Sequence, residues 1–162
     1  MPRKREYLVI HCTTTQEGNP VTPEMVNAWH TLPPPRGRGW SKVGYSKLIL
    51  LSGLVHSFVY ENDDEFVDAF EVTNGAKGMN SKAMHICYVG GVDKNLEPKD
   101  TRTDEQKSVM KRVVLELLAK WPHLKVAGHY HFANKACPSF DVEKWCETIG
   151  VPEKNIYRKV KG

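Results

Sequence analysis

Short apolar runs of strand length alternate with stretches of helical periodicity along this chain. Tyr7-Leu8-Val9-Ile10 is apolar, partly β-branched and stops at His11, the pattern of a buried strand. Thr22-Pro23-Glu24 opens a helix to Thr31, with a capping hydroxyl, a proline in the first turn and an early acid. Met25, Ala28 and Trp29 form its expected inner stripe. Three prolines and two glycines from Leu32 to Gly39 exclude regular structure there. Ser46–Leu51 and Leu54–Tyr60 read as strands joined into a hairpin by the Ser52-Gly53 turn. Glu61–Ser81 carries Gly75, Gly78 and Asn80 and reads as an irregular loop, and Met84–Val89 as the next strand, closed by Gly90-Gly91.

Thr103–Trp121 is the strongest helix. Thr103 and Gln106 match a capping box, and Val109, Val113, Leu117 and Trp121 line one face beside Met110, Val114 and Leu118. Lys125–Gly128 is a short strand leading into His129, and Asp141–Thr148 a short helix with Gly150 suited to its end. Alternating strands and helices predict an α/β fold, with a mixed central β-sheet flanked by α-helices. A length of 162 residues suits a single domain, with a core over about 7–148 and short basic tails.

Composition adds bounds. Charged residues at 26% are ordinary for a globular domain, which excludes global disorder. The net charge of +4 comes partly from the end clusters Pro2-Arg3-Lys4-Arg5 and Arg158-Lys159-Val160-Lys161, which read as solvated tails, and no nucleic-acid partner is expected. No apolar run reaches the length of a membrane span, so no membrane anchor is expected. The apolar stretch behind Arg3-Lys4-Arg5 is too short for a secretory signal, so the chain reads as cytoplasmic when synthesised, acting on a cell wall if released. A monomer is expected. Cys12, Cys87, Cys137 and Cys146 form no CxxC pair. Cys87 and Cys146 read as core, and so does Cys12, because strand alternation turns it away from His11.

Three segments carry candidate chemistry: Val9-Ile10-His11-Cys12-Thr13, Gly128-His129-Tyr130-His131 and Lys135-Ala136-Cys137-Pro138-Ser139. Imidazole and thiolate are zinc donors, and three protein ligands with one open position make a catalytic site. A cysteine hydrolase using Cys137 and His129 is a weaker reading of the same residues.

The stretch from His129 to Asp141, HYHFANKACPSFD, closely resembles the C-terminal motif of the N-acetylmuramoyl-L-alanine amidases of the phage-lysozyme type, whose superfamily includes the peptidoglycan recognition proteins. VIHCTTT, AWH, GWSKVGYS, GAKGMN and CYVGG resemble further family segments in the correct order, over roughly Tyr7 to Trp145. The resemblance implies that His11, His129 and Cys137 are zinc ligands, with His131 as a competitor for His129. It implies catalytic roles for Tyr45 and Lys135. The implied reaction is hydrolysis of the amide between N-acetylmuramic acid and L-alanine in peptidoglycan, in a phage or prophage endolysin. The alternative is a peptidoglycan-binding recognition module without catalysis. His30, Trp40 and Gly75 are candidate substrate contacts. The sequence departs from the family at four places: Ser46 and Gly75 stand where phage members often carry histidine, His85 where a small residue is usual, and the loop with three prolines is longer than in compact members.

Overall fold

The apolar run at residues 7–12 becomes a central sheet strand in a computed structural model, which describes residues 2–159. In chain order the elements are β1 (Arg3–Lys4), β2 (Tyr7–Cys12), β3 (Thr15–Gln16), α1 (Pro23–Thr31), β4 (Lys47–Ile49), β5 (Val55–Ser57), β6 (Phe66–Val67), β7 (Ala83–Tyr88), β8 (Gly91–Val92), α2 (Asp104–Lys120), β9 (Lys125–Gly128) and α3 (Val142–Ile149). The main sheet runs β5-β4-β7-β2-β9. β4, β7, β2 and β9 are parallel, and β5 adds an antiparallel edge through the expected hairpin. Among the described residues the fold is thus α/β, with a mixed sheet and three α-helices.

Alternation along the strands sorts side chains onto two faces. Leu8, Ile10 and Cys12 of β2 and Met84, Ile86 and Tyr88 of β7 join Met110, Val113, Val114 and Leu118 of α2 and Val142 and Cys146 of α3 in the main core. Cys87 of β7 and Val89 just beyond its end pack with Leu48 and with Val26 of α1. His11 and His85 also occupy odd positions, so they fall on the α1 side, where a groove opens.

Capping and burial explain the helices. The Thr103 hydroxyl accepts the Gln106 backbone N–H at 3.0 Å, and the Gln106 side-chain Oε1 accepts the Thr103 N–H at 2.9 Å. The buried Gln106 amide donates to the carbonyls of Ile49 and Val89, tying α2 to two strand ends. Thr22 caps α1 and Asp141 caps α3, whose end is closed by Gly150 at φ 86°.

Two expectations need correction. The inner residues of α1 are Val26 and His30; Met25 and Trp29 are exposed at 39% and 37%. A helix of nine residues leaves the phase of its stripe weakly determined, and the His30 ring has a buried partner that fixes it. Nor is Arg5 part of a solvated tail. It is 1% exposed, pairs with buried Glu71 and lies 4.5 Å from the centre of the Trp121 ring. A buried guanidinium is stable only when paired, and Glu71 supplies the charge. At the other end, Arg158 is pinned by Glu143, Glu147 and Glu153, while Val160 and Lys161 lie outside the described residues. The packed region passes 148, because Val151 and Ile156 are buried against the core and Ile156 bridges to Val126.

Candidate metal centre

Parallel strands deliver their side chains to the carboxyl edge of a sheet, where ligands usually bind in α/β folds. His11 lies near the end of β2, and His129 follows directly on β9, the adjacent strand. Cys137 arrives from the loop after β9. That loop is folded back on itself by the Tyr130 N–H, which donates to the Cys137 carbonyl at 3.0 Å. The Tyr88 hydroxyl holds its far side by donating to the Pro138 carbonyl at 2.6 Å.

His11, His129 and Cys137 each offer a donor atom, and the three atoms lie within 4.8 Å of one another. His11 Nδ1 and Cys137 Sγ are 3.9 Å apart. Tetrahedral coordination with bonds of roughly 2.0–2.3 Å puts neighbouring donors about 3.3–3.8 Å apart, so this set fits a zinc-sized ion after small side-chain shifts. His131 is not in the group. Its Nδ1 accepts the Gly128 N–H at 2.9 Å, and its Nε2 faces Glu143 at 3.2 Å. A second acidic cluster, Asp64, Asp68 and Glu71, lies away from the groove and is already occupied by Arg5 and Asn62.

Burial shapes the protonation of the centre. It holds the His11 ring well below the ordinary histidine value, assisted by His85, His129 and Lys135. His129 is lowered to about 4 by burial and then by Lys135. Both rings are therefore neutral and able to act as donors at pH 7. The Cys12 thiol beside Cys137, and then burial, push the Cys137 thiol up, while the Cys12 amide pulls the other way by donating to its sulfur at 3.2 Å. Cys12 is in the core as expected, yet it touches the centre through this amide, a contact that strand alternation alone does not reveal.

The other expected residues surround the centre. Tyr45 stacks at 5.2 Å from the His11 ring, and burial keeps its hydroxyl protonated. Lys135 is exposed at the groove wall, close enough for its charge to depress both His11 and His129. His30 accepts the Gly44 N–H on Nδ1 at 2.9 Å and packs 4.9 Å from Trp40. His30, Trp40 and Gly75 all line a groove of about 420 Å³, which also includes Arg38, Asn74, Lys77 and Asn80. A second lobe of about 480 Å³ shares His30, Arg38, Tyr45, His129 and Lys135 and reaches Cys137. The groove residues that the sequence reading leaves without a role include the cations Arg38 and Lys77 and the amides Asn74 and Asn80, although Lys77 and Asn80 fall within the GAKGMN segment.

The family model for N-acetylmuramoyl-L-alanine amidase matches residues 1–140. The chain belongs to the N-acetylmuramoyl-L-alanine amidase family. It is 32% identical over 139 residues to the endolysin of Enterobacteria phage K11, covering 86% of this chain and 83% of that one. Among solved structures, the N-acetylmuramoyl-L-alanine amidase LysC from Clostridium intestinale superposes with a TM-score of 0.70 at 22% identity, over 92% of this chain and 87% of that chain. Bumblebee PGRP-SA superposes at 0.67 with 18% identity, over 97% and 86%. These two share the fold, and the phage relative shares the family. No described helix is long and apolar enough to cross a membrane.

Proposed function

We propose that this protein is a zinc-dependent endolysin that hydrolyses the amide between the lactyl group of N-acetylmuramic acid and L-alanine. The observation that carries the reading is the convergence of His11, His129 and Cys137 at the junction of two groove lobes, with Tyr45 and Lys135 beside them. When bound, zinc would act as a Lewis acid towards the amide carbonyl and lower the pKa of water. The protein's own groups supply the rest. The Lys135 ammonium, on the wall of both groove lobes, would stabilise negative charge developing on the carbonyl oxygen. The Tyr45 hydroxyl, held protonated, is a donor for the same oxygen or for the attacking water. Arg38 and Lys77 put positive charge along the groove, complementary to the carboxylates of a stem peptide.

Digestion of purified peptidoglycan followed by mass analysis tests the reaction. The expected products are free stem peptides that begin with an L-alanine amine and glycan strands whose lactyl groups carry a free carboxylate. Fragments cut between sugars would overturn the amide assignment. Binding to peptidoglycan with no cleavage by zinc-loaded protein would favour the recognition-module alternative.

A further inference from the structure

Three of the departures from the family pattern, Ser46, Gly75 and His85, are neighbours in space. Ser46 is buried, and its hydroxyl accepts the His85 backbone N–H at 3.0 Å. Gly75 lies against the His85 ring: a Cβ there would come within 2.5 Å of the ring's Cγ and Nδ1, and within 2.7 Å of the Gly44 carbonyl oxygen. A side chain at 75 and an imidazole at 85 therefore compete for one volume. In this chain the imidazole on the strand has it.

That ring touches the first proposed ligand. His85 Nδ1 lies 2.8 Å from His11 Nε2, and both side chains are buried. On its other side, His85 Nε2 lies 2.9 Å from the Asn80 Oδ1, which also accepts the Ala76 N–H at 2.9 Å. An oxygen already accepting a backbone N–H can only accept again, so the direction of every bond in the chain is determined. His85 Nε2 must carry the proton, which leaves its Nδ1 a bare acceptor. His11 Nε2 must then carry a proton, which leaves His11 Nδ1 with a free lone pair. His11 Nδ1 is the atom that faces Cys137.

We propose that His85 is a positioning residue, which together with Asn80 fixes the tautomer and orientation of His11 so that Nδ1 is presented to the metal. Ser46 and Gly75 are the substitutions that admit it: one holds its backbone, the other leaves room for its ring. The inference rests on His11 being a ligand. Partners that orient ligand histidines are typically worth 10–100-fold in metal affinity.

Two measurements on the full chain test it. Long-range nitrogen–proton NMR on the metal-free protein reads the tautomer directly: His11 should be protonated on Nε2 and bare on Nδ1. Finding the Nδ1–H form would overturn the proposal, whatever the metal result. Zinc affinity by chelator competition should fall by about 10–100-fold in His85→Ala and in Asn80→Leu. Asn80→Asp keeps the accepting oxygen and should bind near the wild-type level. In His85→Ala the His11 ring should also lose its single tautomer while circular dichroism stays native. Wild-type zinc affinity in folded His85→Ala protein would refute the role. If the wild type bound no zinc, the proposed function would fall, but the NMR result would still decide whether the relay exists. If His85→Ala does not fold, Asn80→Leu gives the same test from outside the sheet.

Discussion

The proposed ligands come from two regions built in different ways. His11 sits in β2, which is hydrogen-bonded to β7 on one side and β9 on the other, and its residue is 1% exposed. His129 and Cys137 stand at the ends of a loop whose middle, residues 134–136, is exposed. The strand wall fixes a direction through its ladder and leaves the ring's rotation and tautomer to one neighbour, His85. The loop fixes its residues through a few local bonds, from Tyr130 to Cys137 and from Tyr88 to Pro138. Rigid elements place single groups accurately, whereas a loop can bring several groups to one point at once. Lys135 is placed by the same loop segment that places Cys137.

Removing a donor from the loop breaks the comparison most severely. Cys137→Ala is expected to abolish zinc binding and turnover together, read by elemental analysis and a peptidoglycan-release assay. Cys146→Ala, buried in α3 away from the centre, should retain both and lose only stability. Equal losses in the two variants would mean that Cys137 is a packing residue. Next in size is Lys135→Ala. Loss of one oxyanion donor costs ~10²–10³ in turnover, about 3–4 kcal/mol, with zinc content and KM much less affected. A surface lysine would cost within about 0.5 kcal/mol, so near-normal turnover in a folded, zinc-loaded variant excludes the role.

The contrast also explains what was legible in the sequence. The loop's chemistry is written within a dozen residues, so His129, Lys135 and Cys137 stand together on the page as they do in space. The wall's chemistry is not. His85 is 74 residues from His11, and their contact depends on the register that pairs Val9 with His85. Apolar runs and caps predicted the strands of the main sheet and the three long helices because each is a local signal, whereas the two-residue strands β1, β3, β6 and β8 are too short to leave one, and β6 falls in the stretch read as an irregular loop. The Arg5–Glu71 pair spans 66 residues and looked like a charged tail for the same reason that His85 looked like an isolated oddity. Long-range polar contacts have no period and leave no local trace.

Acid should distinguish the two regions by a smaller effect. Burial lowers His85 to about 3, His30 to about 4 and His129 to about 4, in each case as the leading cause. A histidine whose folded value lies below its unfolded value of about 6.5 binds fewer protons when folded, so stability rises with pH across that interval. The contribution is complete above about 6.5 and is lost as pH falls towards about 4. For a buried ring a fall to about 4 corresponds to roughly 3 kcal/mol, and partly exposed His129 is worth less, roughly 1–2. Denaturant melts of metal-free protein should therefore weaken from pH 7 to pH 4. His129→Gln should flatten part of that slope, and an unchanged slope would show that His129 is solvated in the metal-free protein.

The smallest effect belongs to the contact behind the loop. His131 has a fully buried side chain, and its Nδ1 accepts the Gly128 N–H, so Nε2 carries the proton and donates to Glu143. Glu143 is one-quarter exposed and also meets Arg158 at the surface. Glu143→Gln keeps a carbonyl oxygen for His131 and gives up the charge. Solvent already screens that charge, so the change is expected to cost within about 1 kcal/mol of stability. Zinc affinity should be unchanged, because His131 orients the turn through Gly128 and does not face the donor group. The two measurements together sharpen the comparison. A loss of zinc affinity in Glu143→Gln comparable to that in His85→Ala would mean that the loop, like the wall, depends on a tuned imidazole behind its ligand, and the division between the two regions would fall.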